Sequence, residues 1–384
     1  MSSCSPPSQR LAQIDLLRGL VMLLMLLDHV RETFYLHLQL SDPVDVQQVS
    51  PLLFVLRLLA HLCAPVFVFL TGLAAWLYGQ RQSDPRTATA AFLFKRGLFL
   101  VALELTVVNF AWTFVFPPDT VYLQVIWAIG VSMLALSALL WLPRPLLAAI
   151  GLLVIAGHNL FDGVAPVDGP WAAVWAVLHQ RAWLEPFEGL RLRTSYPVLP
   201  WMGVIALGYV AGPWFARDAD PAKRRRLLGI WGLGALTAFA VLRLVNGYGD
   251  TPWRADVDVV RTVISVFNVT KYPPSLLFLC LTLGTGWLLL RAFERPALAA
   301  RLAPLAVFGA APMFFYLLHL YVLKLLYVGA EAVWGRNQGP VFGFGHAGWL
   351  LPMAAVLAVG LYPAVRWFAA LKARRRDLAW LRYL

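Results

Sequence analysis

Asp28 and His29 stand side by side near the end of IDLLRGLVMLLMLLDHVR, the stretch from Ile14 to Arg31. A histidine can serve as a general base near neutral pH, and a carboxylate can orient the ring or stabilise its cation. Successive residues of a helix point about 100° apart, so Asp28 cannot grip its neighbour's ring as a catalytic triad would. The partner expected for Asp28 is on another helix, with His61 and His319 as the two choices. His61 lies in PLLFVLRLLAHLCAPVFVFLTG, four residues after Arg57 and on the same helical face. Pro65 follows one turn later and should kink the helix, freeing backbone carbonyls near His61. His319 lies in APMFFYLLHLYVLKLL, and Asn109 precedes Thr113 by one helical turn in another apolar run.

Long apolar elements must carry these residues. The chain has 384 residues, of which 60% are hydrophobic and 14% charged, and its mean hydropathy is +0.68. A soluble surface needs more charge than that. The sequence predicts an all-α, polytopic transmembrane helix bundle, because a β-barrel would show short alternating segments. Ten spans are expected, at about 14–36, 52–79, 92–116, 121–142, 145–161, 197–216, 227–247, 273–290, 304–326 and 349–368. With the N-terminus inside, 21 Lys and Arg fall on the cytoplasmic side against 7 outside, and four lie within spans. That asymmetry places both termini in the cytoplasm. It also accounts for the net charge of +12 without invoking nucleic acid.

Residues 1–9 read as a disordered cytoplasmic tail, 10–371 as the transmembrane domain and 372–384 as a basic, aromatic interfacial tail. The first apolar stretch has Asp15 in its flank and no small-residue cleavage site behind it, so it reads as a retained helix. In the long segment 162–196, WAAVWAVLHQRAWLEPF reads as an amphipathic helix at the interface or over the bundle.

At about 1.5 Å per residue, Asp28 is roughly 20 Å up its helix, His319 roughly 20 Å above Leu305 and His61 roughly 14 Å down from Leu52. In a hydrocarbon core about 30 Å thick, these groups and Asn109 meet in the outer half. Arg57, Arg243 and Lys271 would ring the layer above them. Ionisable side chains at such depth face protein or water and mark function. A polar cavity opening outward is expected, lined by spans one, two, three, seven and nine. One buried histidine is ordinarily a satisfied packing residue; three at one depth beside an aspartate are harder to read that way.

No H-x-x-x-H or similar spacing joins His61, His319 and Asp28, so no metal is expected. His37, His158, His179 and His346 fall in loops or at span ends and read as interfacial. The cysteines, Cys4, Cys63 and Cys280, show neither metal-site nor disulfide spacing. The sequence holds no Gly-rich phosphate loop, no G-x-S-x-G and no nucleic-acid motif.

The phrases D-L-L-R-G, D-H-V-R, A-H-L-C-A-P-V-F-V-F-L-T-G and N-V-T-K-Y-P-P-S-L-L together resemble the bacterial DUF1624 proteins. Those are relatives of the catalytic domain of heparan-α-glucosaminide N-acetyltransferase, within the wider transmembrane acyltransferase superfamily. The likeness covers nearly the whole chain, down to the terminal W-L-x-Y-L. It implies transfer of an acetyl or other acyl group from cytoplasmic acyl-CoA, such as acetyl-CoA, to an outer-face small-molecule or glycan acceptor, usually a sugar. The setting it implies is the bacterial inner membrane. In the acyltransferase-3 branch the catalytic histidine follows the Arg of L-R-G at the spacing that Arg18 and His29 show here. In the lysosomal branch the position of His29 is a functional asparagine and the histidine comes later; His37 is the nearest here, in different local sequence.

On this reading His29 is the base, Asp28 and His61 orient or polarise, and His319, Asn109, Arg57, Lys271 and Arg243 line the acceptor site. Arg18, Lys95 and Arg96 contact the phosphates of acyl-CoA. The lipid bilayer is the one constant partner, and a homodimer fits the sequence as well as a monomer does. The rival reading is a proton-coupled transporter or exporter using the same Asp/His layer as a relay. Inverted repeats, which would favour it, are not evident. A non-catalytic assembly or lipid-binding protein is the third reading.

Overall fold

The computed structural model describes residues 11–164, 169–375 and 377–383; the tail read at 1–9 lies outside them. In chain order the α-helices are α1 (Ala12–Phe34), α2 (Pro51–Ala60), α3 (Cys63–Gly79), α4 (Pro85–Leu103), α5 (Asn109–Thr113), α6 (Val125–Leu139), α7 (Arg144–Gly157) and α8 (Pro170–Leu178). There follow α9 (Leu199–Val210), α10 (Pro221–Val245), α11 (Val259–Phe267), α12 (Leu276–Phe293), α13 (Pro296–Arg301), α14 (Ala303–Ala310), α15 (Pro312–Trp334) and α16 (Leu350–Arg374). A π-helical turn, Glu104–Val108, joins α4 to α5.

Local sequence sets where many of these begin. Ser50, Asp84, Asp220, Asp258 and Ser275 each accept a backbone N–H from the turn that follows, as N-caps do. Pro51, Pro85 and Pro221 come directly after their caps, where a missing N–H leaves no hydrogen bond unmade.

Helices cover all ten apolar stretches of the sequence. Among the described residues, six helical stretches are long and apolar enough to cross a membrane: Pro51–Gly79, Arg144–Phe161, Pro221–Val245, Leu276–Phe293, Pro312–Trp334 and Ala347–Arg374. α1 is not among them, because it carries Asp15, Arg18, Asp28, Arg31 and Glu32. It packs instead against α2, α3, α12, α14, α15 and α16, so its neighbours are protein on most sides. Leu16, Leu17, Val21, Met22, Leu26 and Val30 are all buried there. A belt that includes Phe94, Leu153, Ile230, Leu244, Val356 and Val359 is exposed on other helices. So large an apolar surface suits lipid and not water.

Glycines set the closest helix contacts. A Cβ on Gly19 would lie 1.8 Å from the Leu305 carbonyl oxygen, and one on Gly309 would lie 1.9 Å from that of Asp15. These two glycines bring α1 and α14 backbone to backbone, and Gly72 and Gly208 do the same for α3 and α9. Without a hydrophobic drive between helices in lipid, such contacts carry the packing.

Three expectations are corrected. The fold is mostly helical but not all-α: β1 (Thr120–Tyr122) pairs in parallel with β3 (Leu190–Arg193), which pairs antiparallel with β2 (Trp183–Phe187). The helix expected over 171–187 stops at Leu178, and the rest becomes the β2–β3 hairpin, turning at Gly189 with φ +84°. β3 finds a partner in β1, whose Thr120, Val121 and Tyr122 suit a strand, a pairing that sequence period alone does not reveal. The ninth span is broken: α14 ends at Ala310, and Pro312 opens α15. The second span breaks at His61–Leu62, just where the Pro65 ring would crowd the carbonyl of residue 61.

Candidate active site

His29 Nδ1 lies 2.7 Å from His319 Nε2, and His319 Nδ1 lies 2.7 Å from the Phe315 carbonyl oxygen. A carbonyl can only accept, so His319 carries its proton on Nδ1 and offers the lone pair of Nε2. His29 must then donate from Nδ1, and in the neutral ring its Nε2 is left as a base. The network assigns these protons. His319 is fully enclosed, whereas His29 is half-buried. The His29 ring also meets Trp112 edge-on, with centroids 5.1 Å apart.

Three buried polar atoms near this pair have no hydrogen-bond partner among the described residues: Trp112 Nε1, Tyr316 Oη and Glu104 Oε1. Tyr316 is 6.0 Å from His29, ring to ring, and has Trp112 and Glu104 as polar neighbours. The other oxygen of Glu104 accepts the Trp127 N–H at 2.9 Å, in the first turn of α6. Leaving buried donors unmatched costs about 1–3 kcal/mol each, so water or a ligand is the natural partner.

Asp28 faces away from His29, as helix geometry requires. Its Oδ1 accepts from Arg31 Nη2 at 2.9 Å and Nε at 3.2 Å, and its Oδ2 is 4.0 Å from Lys271 Nζ. Neither His61 nor His319 is its partner; the planar guanidinium fork one turn on offers two donors where an imidazole offers one. Arg31 also contacts Glu32. His61 is buried against Phe278, with both ring nitrogens unpartnered among the described residues. Arg57, Lys271, Asp28 and Arg31 are all close enough to act on its charge.

The loop Asn268–Ser275 is pinned by three anchors. Asn268 exchanges hydrogen bonds with the backbone of Val44. Asp250 accepts from Thr270 N and Oγ1 and from Ser275 Oγ. Asp42 accepts the backbone N–H groups of Lys271 and Tyr272, and Arg57 Nη2 reaches the same carboxylate at 2.5 Å. The Lys271 ammonium is thereby held between Asp28 and the rings of Tyr196 and Tyr272. Burial works against its charge, but Tyr272 and Asp28 outweigh that and its pKa sits above the ordinary lysine value.

The model of the family described as heparan-alpha-glucosaminide N-acetyltransferase, catalytic, matches residues 10–241. The chain belongs to this family. No curated protein matches it individually. The heparan-alpha-glucosaminide N-acetyltransferase family makes this a membrane protein of acetyltransferase type, in keeping with its six long apolar helices. The match takes in Asp28, His29 and His61 and ends before Lys271 and His319, which the fold alone brings to the same place.

Two residues expected at the cavity are not brought there. Asn109 donates to the Thr120 carbonyl at 3.0 Å and accepts from Tyr122 N at 3.2 Å, fixing β1. Arg243 donates to the carbonyls of Thr251 and Asn268 at 2.9 and 2.7 Å, bracing the loop beneath Lys271 and not lining a cavity with it. Span three places Trp112 beside His29, while Asn109 serves β1, and span seven supplies only this brace. At the other end of α1, Arg18 lies 3.5 Å from Asp15 and close enough to Arg96 for the two charges to interact. Lys95 is exposed on a different face of α4, since adjacent helical residues diverge. Sequence reading missed Asp42, Asp250, Trp112 and Tyr316. The first two sit in loops without period; the last two carry no charge to mark them.

Proposed function

We propose that this protein transfers an acyl group, acetyl in the simplest case, from acyl-CoA to an acceptor hydroxyl or amine, with His29 as the base. The observation that carries this is the His29–His319 pair, whose proton order leaves His29 Nε2 free to accept. Nε2 takes the acceptor's proton as its oxygen or nitrogen attacks the thioester carbonyl. The tetrahedral adduct collapses, the C–S bond breaks, and the thiolate takes the proton from His29. The Trp112 N–H and Tyr316 O–H support this reading, because donors beside His29 suit the oxyanion that forms on the way.

The donor enters from the basic, cytoplasmic side, where Arg18 and Arg96 meet its phosphates. Arg18 and His29 are separated by about 16 Å along α1, which the pantetheine arm must span. The ten helical stretches serve as spans with both termini inside, in the inner membrane of a bacterium. The acceptor, a sugar or glycan, binds on the outer side against His61, Lys271 and Arg57. On this reading the acceptor approaches through the cleft of about 410 Å³ beside Asp42, lined by Pro43, Gln47, Thr251, Arg254, Asp256 and Asn268.

The test is thiol release from acetyl-CoA by the protein in liposomes, offered amino sugars and cell-envelope glycans, beside His29→Ala. Turnover abolished by the substitution supports the proposal. If wild type releases no thiol with any donor or acceptor, the enzyme reading fails and proton-coupled transport becomes the reading to test.

A further inference from the structure

No role above uses His158, Asp162 or His179, yet the fold gathers them just past α7. One ligand atom of each lies within 4.8 Å of the other two. His158 Nδ1 is 3.4 Å from His179 Nε2, and His179 Nε2 is 3.6 Å from Asp162 Oδ1. Ligands bonded to a tetrahedral zinc at about 2.0–2.1 Å stand roughly 3.4 Å from each other. A direct N–H···N bond would be nearer about 3.0 Å. These two separations are close to that spacing, and the third pair lies within 4.8 Å, so a small movement of the exposed Asp162 side chain completes the set.

The surroundings hold each donor in place. Asn159 Nδ2 donates to Asp162 Oδ2 at 2.8 Å, so Oδ1 is the oxygen left facing His179, and Asn159 is itself fixed by the Leu276 N–H at 2.9 Å. The His179 ring stacks on Trp175, with centroids 5.0 Å apart and planes 20° apart. His158 is buried, with Pro274 and His179 as its polar neighbours. Such supporting contacts are what orient the ligands of metal sites. His179 Nε2 also lies 2.9 Å from the His158 carbonyl, which receives its proton when no metal is there. Metal binding displaces that proton. Both histidines are buried, while the Asp162 side chain is 49% exposed and leaves room for water as a fourth ligand.

We propose that His158 Nδ1, His179 Nε2 and Asp162 Oδ1 bind one divalent transition metal, zinc by the character of the donors. Two imidazoles and one carboxylate suit zinc and disfavour magnesium or calcium, which take oxygen ligands. The ion would clamp α8 to the end of α7, beside the Pro274 loop that presents Lys271. This proposal stands independently of the acyl-transfer reading.

Tag-free protein in nanodiscs, stripped with EDTA, is titrated with zinc chloride and then with magnesium chloride by calorimetry. The expected result is one zinc per chain, no response to magnesium, and a higher melting midpoint with zinc. Asp162→Asn changes a direct ligand and should weaken zinc binding by at least the roughly 10- to 100-fold that loss of an outer contact costs. His179→Gln should abolish it. Should His179→Gln not fold, Asp162→Asn still decides, because that side chain is at the surface. No zinc binding by wild type, or the same affinity in Asp162→Asn, overturns the site.

Discussion

The imidazoles of His29 and His319 lie nearly parallel, with planes 12° apart and centroids 5.0 Å apart, although 290 residues separate them in the chain. The enclosed ring is tied to a carbonyl and the half-buried ring is tied to it, so the proton order runs one way. Nitrogen-15 spectra of histidine-labelled protein should show both rings protonated on Nδ1 at neutral pH. Finding His29 protonated on Nε2 would contradict the assignment. In the thiol-release assay His29→Ala should lower kcat by about 10²–10⁴-fold, the span general bases contribute. His319→Ala should cost less, since it removes the orientation of the base and not the base.

Asp42 is buried between Arg57 and two backbone N–H groups. Asp42→Ala leaves the buried guanidinium without its counter-charge, and breaking such a pair costs about 3–5 kcal/mol. Glu185→Ala removes one end of an exposed pair and should stay within about 0.5 kcal/mol. Thermal unfolding of the two variants side by side checks the contrast; equal midpoints would mean the Asp42 network contributes little.

Lys271 has a raised pKa, so the stability it contributes is complete below the ordinary lysine range and is lost only as pH rises through the raised value. Lys271→Met should therefore change the melting midpoint by a constant amount across the neutral range. The two curves should converge at strongly alkaline pH. Convergence on the acid side instead would show that the ammonium is not the stabilising form.

A Cβ on Gly208 would lie 2.1 Å from the Phe69 carbonyl oxygen, whereas one on Gly360 would meet nothing within 4 Å. Gly208→Ala should destabilise by about 1–3 kcal/mol or more, as overpacking does. Gly360→Ala should be neutral or stabilising, because alanine favours helix by up to about 1 kcal/mol over glycine. Similar midpoints for both would remove the argument for close α3–α9 contact.

Apolar periodicity and depth made much of this legible. His29 and His319 lie on long helices and His61 at the break in the second span, and counting residues along each span gives a height in the membrane. Height does not give direction around the helix, which is why Asn109 and Arg243 looked like cavity residues and proved to satisfy nearby backbone groups. Helix geometry turns Asp28 away from His29, but spacing alone does not favour Arg31, one turn on, over a partner from another helix. Asp42 depends on a loop 229 residues further on coming to meet it, and Asp250 on the chain folding back between two loops, and no local pattern foretells either. The short strands escaped notice because a parallel pairing of three residues leaves almost no periodic trace.

The charges on α1 are arranged in neighbouring pairs, Asp15 with Arg18 and Asp28 with Arg31, each three residues apart. This helix is synthesised long before α14, α15 and α16, against which it finally packs. At about 5–20 residues per second, the ribosome needs roughly 15–60 s to reach His319 after making His29. During that interval α14, α15 and α16 cannot shield the carboxylates. Pairing each with an arginine one turn away lets the segment pass from the translocon into lipid with its charge already neutralised, and keeps it there until its permanent neighbours arrive.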